Sequence, residues 1–266
     1  MIDASDLHLG SVLNGISLHV EPGQCLGVLG RNGAGKSTLM ATLAGVLRAP
    51  SGGLQRIEGA AYLPEGAPLD AGISVRAWLR IAPELPGWDE ALGREVIEAF
   101  PLPLKRDASQ LSQGQRVQLG LILTLGRRAP AYLLDDPFLG LDPVAKSRAE
   151  RLIADRSVDV PVVLAGQDAD AIERLCSHVT LLVGGRQVWL AETDAWRERY
   201  VGLRVVGEPP SLTSLRVLRQ RSHGGATELF LDDPDHTALT QLRTAGADVT
   251  ALPLRFDEVL ELAVSA

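Results

Sequence analysis

Residues Gly30-Arg31-Asn32-Gly33-Ala34-Gly35-Lys36-Ser37-Thr38 fit the pattern G-x-x-x-x-G-K-[ST] without a mismatch. Their flanks fit as well. Cys25 to Leu29 is a short apolar run that reads as a buried strand, and Ser37 to Leu47 reads as a helix with Leu39, Leu43 and Val46 on one face. Strand, glycine loop and helix in that order make a phosphate cradle. Glycines bring the backbone up to an anion without a Cβ in the way. Successive N–H groups and the positive helix end then favour the negative charge. Lys36 is placed to reach the β/γ-phosphates and Ser37 to bind Mg²⁺. A dinucleotide fold is disfavoured, because G-x-G-x-x-G does not occur here.

Other stretches follow the same alternation of strand and helix, which predicts a largely parallel sheet. Ser5 to Val20 reads as two strands and a turn, Ala49 to Gly53 as a loop, and Gly59 to Glu65 as a strand running into a loop. From Ser74 to about Arg128 the pattern is helical: Val75, Trp78, Leu79 and Ala82 share a face, as do Leu92, Val96, Ile97 and Phe100. This insert contains the pentad Leu111-Ser112-Gln113-Gly114-Gln115, in which Ser112 is a good helix cap; alone it is no more than a capped helix start. Ala131 to Leu134 is an apolar strand ending in Asp135-Asp136. Such a pair fits either a Mg²⁺ site beside a phosphate or a cap for the following turn. Gly140-Leu141-Asp142-Pro143 and a helix through Leu152 come next. Pro161 to Asp168 is a further strand-to-loop, and a helix and a hairpin end near Leu190.

Charge and cysteine content narrow the classes. A net charge of −7 argues against general nucleic-acid binding, which needs a basic face, though it leaves room for a local basic patch; no nucleic acid is expected as a partner. Two isolated cysteines, Cys25 and Cys176, form neither a disulfide framework nor a zinc pattern and read as small core residues. The N-terminus lacks the basic and apolar regions of a signal peptide, and no run approaches about 18 apolar residues. A soluble protein is expected, with any membrane role going through a partner.

Phosphate loop, helical insert, LSxGQ pentad, apolar strand with Asp, and Gly-Leu-Asp stand in an order and spacing that resemble the nucleotide-binding subunit of ABC transporters, over roughly residues 1–200. The resemblance implies an α/β P-loop NTPase: a mixed, largely parallel core sheet, a helical insert over about 74–128, and a small C-terminal α+β extension at 201–266. It implies a homodimer or heterodimer with ATP and Mg²⁺ at the seam, driving integral membrane permease subunits. The protein would then be cytoplasmic, held peripherally at the inner face of the membrane. By resemblance, Gly30, Asn32, Gly33, Ala34, Gly35, Lys36, Ser37 and Thr38 hold the nucleotide of their own subunit. Ser112, Gly114 and Gln115 hold the partner's, a role that suits a helix N-terminus. Ser37, Asp135 and Glu65 serve the metal, Lys36, Asp136 and Gln167 serve catalysis, and Asp142 falls at the dimer contact.

Four positions depart from that family's pattern. Asp136 stands where a catalytic Glu is usual, Gln167 where a switch His is usual, and Glu65 where a Gln is usual; no aromatic near Leu9-Gly10 offers a stack for adenine. The Asp136 carboxylate stops roughly 1.5 Å short, one C–C bond. A shift of about 1 Å in a catalytic group lowers rate on the order of a hundredfold. Gln167 cannot titrate, although it can orient water. Sound ATP binding with slow hydrolysis is therefore expected.

In the tail, Leu203–Val206, Arg216–Arg219 and Glu228–Leu231 read as strands, with a hairpin at Gly224-Gly225. Ala238, Leu239, Leu242 and Ala245 share a helical face, Asp248 to Leu254 reads as a strand, and Phe256, Val259, Leu260 and Ala263 form a last helix. The tail resembles the C-terminal extension of subunits serving exporters with separately encoded membrane subunits. Packing module and regulatory module both fit it. Two functions stay open: an exporter's ATP-binding subunit, and a nucleotide-dependent regulatory or scaffold module with little hydrolysis. Within the first, the chain could be the degenerate half of a heterodimeric pair.

Overall fold

A computed structural model describes residues 1–48, 51–55, 57–195, 199–206, 215–232, 248–255, 258–259 and 261–262. The chain forms two compact units, Met1–Leu190 and Ala191–Ala266.

In the first unit, β1 (Ile2–Leu9) pairs antiparallel with β2 (Leu13–Val20) and with β4 (Ser51–Gln55). The central sheet has the order β5-β6-β7-β3-β8-β9. Its strands are β3 (Cys25–Leu29), β5 (Ala61–Leu63), β6 (Tyr132–Asp135), β7 (Val162–Gly166), β8 (His178–Val183) and β9 (Arg186–Glu192). β3, β6 and β7 are buried at every residue, as continuous apolar strands covered on both faces should be. All pairings from β5 to β8 are parallel. β8 and β9 are joined by Gly184-Gly185, both at positive φ, the geometry of a tight hairpin turn.

That parallel register decides where the chemistry sits. Leu29 lies opposite Gly166, Asp135 opposite Ala165, and Leu63 opposite Leu134. The loops leaving β3, β5, β6 and β7 therefore emerge side by side at the carboxyl edge, where ligands of open α/β sheets bind. α1 (Lys36–Leu43) follows the glycine loop and buries Leu39, Met40 and Leu43 among the strands. α2 (Val75–Ile81), α3 (Glu90–Ala99) and α4 (Gln113–Leu125) form the insert between β5 and β6. Val75, Ala82, Val96 and Phe100 are buried there, with Trp78 and Leu79 packed half-buried beside Val75. α5 (Pro143–Ser157) and α6 (Ala169–Leu175) complete the unit.

Two expectations from sequence fail here. α1 stops at Leu43, and Val46 is 68% exposed instead of sharing the buried face. Gly45, at φ 76, reverses the chain and ends the helix. Of the stretch read as a loop, Ala49 to Gly53, residues Ser51 to Gly53 open β4, whose glycines allow a close approach. A Cβ on Gly52 would lie 2.4 Å from the Asp6 carbonyl oxygen. Gly52→Ala must push β4 off β1 at a residue held at φ 97. It is expected to destabilise the fold by about 1–3 kcal/mol, measured as a lower thermal midpoint.

The second unit contains the antiparallel sheet β11-β12-β10-β13. Its strands are β10 (Tyr200–Val206), β11 (Val217–His223), β12 (Ala226–Asp232) and β13 (Asp248–Leu252), with Gly224-Gly225 turning β11 into β12. Leu203, Val205, Leu229 and Leu231 form its core. The Asp232 carboxylate, fully buried, accepts from Arg199 at 2.7 Å and pairs with Arg216 at 2.8 Å. The helical face Ala238, Leu239, Leu242 and Ala245 lies outside the described residues, as do Phe256, Leu260 and Ala263.

Candidate functional site

The carboxyl edge of β3, β5, β6 and β7 gathers most of the residues singled out from sequence. Gly30, Gly33 and Gly35 hold φ values of 155, 81 and 101. At Gly30 and Gly35 the space is also taken: a Cβ would lie 2.6 Å from the Leu182 carbonyl oxygen at the first and 2.9 Å from that of Val12 at the second. The loop is thus clamped between β8 and the β1–β2 turn, with Ala34 buried beneath it. Asn32 lies within the turn closed by the Ala34 N–H, which donates to the Arg31 carbonyl oxygen at 3.1 Å, and Thr38 lies in the first turn of α1. Lys36 is 6% exposed, and its Nζ donates to the carbonyl oxygens of Gly30 at 2.9 Å and Arg31 at 3.4 Å. Its ammonium is held over the loop, where a phosphate cradle needs it.

Ser37 and Glu65 meet directly: the Ser37 hydroxyl donates to Glu65 Oε2 at 3.3 Å. Asp135 ends β6 at 1% exposure, and neither of its carboxylate oxygens has a hydrogen-bond partner. Burial pushes its carboxyl up to about 6; Asp136 and Glu65 add to the rise, while Ser37 and Lys36 oppose it. A buried carboxylate without a partner calls for a counter-charge. Hydroxyl and carboxylates are also the hard oxygen donors that Mg²⁺ takes, so these residues fit that ion. Among the described residues no group of three or more His, Cys, Asp or Glu is arranged to hold a metal. The metal's remaining ligands would therefore be water and phosphate, as is usual for Mg²⁺.

Asp136 sits at φ 48, a left-handed conformation that Asp tolerates better than most residues. Its N–H donates to Ala165 at 2.8 Å. Burial raises its carboxyl from the usual Asp value; Lys36 and the Gln167 backbone N–H pull it back, while Glu65 and Asp168 add to the rise. Gln167 Nε2 donates to Asn32 Oδ1 at 2.8 Å, tying the end of β7 to the phosphate loop. Asp168 caps α6 by accepting from Ala171 at 3.0 Å, and it pairs with Lys146.

Ser112, Gly114 and Gln115 stand apart. Ser112 Oγ accepts from the Gln115 N–H at 3.2 Å and Gln115 Oε1 from the Ser112 N–H at 3.1 Å, a reciprocal cap on α4. Gly114 packs on the loop before α5, where a Cβ would lie 2.1 Å from the Gly140 carbonyl oxygen. Asp142 caps α5 by accepting from Ala145 at 2.8 Å. A groove of about 610 Å³ runs between these elements, lined by Ser112, Gly114, Gln115, Gln118, Asp142 and Arg148 among others, and by no residue of the phosphate loop. Gln118 and Arg148 escaped the sequence reading.

A family model described as ABC transporter matches residues 13–139. The hemin import ATP-binding protein HmuV of Pseudomonas fluorescens (strain Pf0-1) is 35% identical over 71% of this chain and 86% of its own length. The Nod factor export ATP-binding protein I of Rhizobium sp. (strain N33) is 30% identical over 93% of this chain and 90% of its own. A solved structure described as an ATP-binding subunit of an ABC transporter superposes with a TM-score of 0.67 at 24% identity, over 74% of this chain and 92% of that one.

Proposed function

This chain belongs to the ABC transporter family, as an ATP-binding subunit, and from that premise we propose that it closes in pairs on MgATP to drive separately encoded permease subunits in an export complex. The observation that carries the reading is the division of the site. The phosphate loop, Ser37, Asp135, Asp136 and Gln167 share one sheet edge, while the capped pentad lines a groove with no phosphate-loop residue in it. A helix N-terminus offers unpaired N–H groups to an anion. A second chain can present that end to a nucleotide on the first, which makes each site incomplete without a partner.

In this reading Lys36 and the N–H groups of Gly33 to Thr38 hold the phosphates, and Ser37, Asp135 and Glu65 hold Mg²⁺. The metal's charge would ease negative charge building on the phosphates. Asp136 takes the proton from the attacking water, slowly, and Gln167 orients that water in place of an imidazole. The protein would lie at the inner face of the membrane through its permeases. Export is supported by the alignment with the Nod factor relative, which at 93% of the chain takes in much of the C-terminal unit. That unit, as a separate domain, would pack on the pair or regulate it.

A second reading, a partner or regulatory half with little turnover, is favoured by Gln167 being bonded to Asn32. Native mass measurement of the complex purified from membranes distinguishes them. Two copies of this chain with permeases support the first reading, a single copy beside a related subunit supports the heterodimer, and no integral membrane protein supports the regulatory module. In isolation the full chain is expected to shift from monomer to dimer on adding MgATP, read by light scattering. A monomer at saturating nucleotide defeats the proposal.

A further inference from the structure

We infer that Glu65 and Asp135, with the Ser37 hydroxyl, form a divalent-cation site that fills before nucleotide arrives. The inference deepens the reading above and rests on its placement of a metal at this edge.

Asp135 is buried with both carboxylate oxygens unpartnered, so its negative charge is uncompensated by any hydrogen bond. Lys36 does not supply the missing partner: its ammonium is turned to the Gly30 and Arg31 carbonyls. Ser37 is close enough to favour the charged form of Asp135, while its hydroxyl donates to Glu65 at 3.3 Å. Glu65 stands just after β5, whose last residue, Leu63, is in register with Leu134. The exposed Glu65 carboxylate thus meets the Ser37 hydroxyl directly, and the buried Asp135 carboxylate lies near enough to feel both. Ser37 and Glu65 are exposed, so an ion has a path in from solvent.

The chemistry follows from the charge count. With a neutral amide at position 65, the protein would offer a divalent ion one carboxylate, and phosphate oxygens would have to supply the rest. Glu65 gives a second hard anionic oxygen, enough to hold a divalent ion against water at an open site. Without a third acidic ligand the affinity should be modest, roughly 0.1–1 mM. A bound cation would also offset the charge of Glu65, Asp135 and Asp136 facing an incoming polyphosphate. By linkage, whatever factor the cation adds to nucleotide affinity, nucleotide adds to cation affinity.

The test is a MnCl₂ titration of the nucleotide-free full chain, with free Mn²⁺ read by its EPR signal. One Mn²⁺ per chain, displaced by Mg²⁺, is expected. Glu65→Gln and Asp135→Asn should each weaken it at least tenfold. Glu65 lies on an exposed turn, so its variant reports even if the buried change upsets folding. Lys36→Met, which removes a nearby positive charge, should tighten Mn²⁺ while weakening nucleotide, and a parallel loss of both would overturn the proposal. No binding by the native chain would overturn it too, as would binding unchanged in the Glu65 and Asp135 variants, an adventitious ion only. A fluorescent ATP analogue with Mg²⁺ is titrated in parallel. If it binds while Mn²⁺ alone does not, this inference fails and the nucleotide reading stands. If it never binds, that reading fails, and the Mn²⁺ titration still decides this inference.

Discussion

Asp136→Asn is expected to lower phosphate release by about 10²- to 10⁴-fold, the range for losing a general base, with MgATP affinity within about threefold of native. The carboxylate has two properties a base needs. It lies beside Lys36 and Glu65 at the phosphate edge, and burial makes it more basic than a surface Asp. The backbone holds it short, however. At φ 48, with the Gln167 N–H directed at its oxygens, it is drawn back toward β7; Asp136 Oδ1 lies 3.0 Å from where a Gly166 Cβ would be. The native rate should therefore be slow. Asp136→Glu extends the carboxylate by one methylene and should recover part of the loss, between about tenfold and hundredfold over native. The left-handed backbone, which suits Glu less well than Asp, limits the gain. Single-turnover phosphate release on the isolated pair checks both. An Asp136→Asn chain as fast as native would show that another group activates the water.

Much of this site was readable as a string because its parts are local. A phosphate cradle needs glycines, a lysine and a hydroxyl within nine residues, so Gly30 to Thr38 announces itself. The apolar strands ending at Leu29, Asp135 and Gly166 were equally legible, since strands buried on both faces leave unbroken apolar runs. What stayed hidden depends on contacts between distant residues. Gly52 and Gly53 look like loop punctuation until β1 lies against them. Val46 fits a helical period, but Gly45 turns the chain one residue earlier. The bonds from Gln167 to Asn32 and from Ser37 to Glu65 span 135 and 28 residues. Sequence could mark Gln167 and Glu65 as unusual without showing that they pair with Asn32 and Ser37.

Gly114→Ala should weaken ATP-driven pairing by a hundredfold or more while leaving each chain's own phosphate loop able to bind nucleotide. The added Cβ would lie 2.1 Å from the Gly140 carbonyl oxygen and 2.8 Å from its carbon, backbone atoms that cannot swing aside like the end of a side chain. Either the α4 start or the Gly140 turn must move. The cost to the isolated chain is about 1–3 kcal/mol, or roughly 2–12 °C in thermal midpoint for a unit of this size. The effect on pairing should be larger. Ser112 and Gln115 are already spent on capping each other, so the N–H groups of the first turn and the Ser112 hydroxyl's remaining capacity are what α4 can offer a nucleotide across the seam. Displacing them removes charge-assisted hydrogen bonds worth about 1.5–3 kcal/mol each. In a symmetric pair one substitution is counted at both sites. Together these predict a hundredfold or greater weakening of the MgATP-induced dimer, with nucleotide affinity of the monomer unchanged within about threefold. Light scattering across a protein dilution series at saturating MgATP measures it. A substituted chain that still folds and pairs as tightly as native would mean that the pentad does not face the partner's nucleotide.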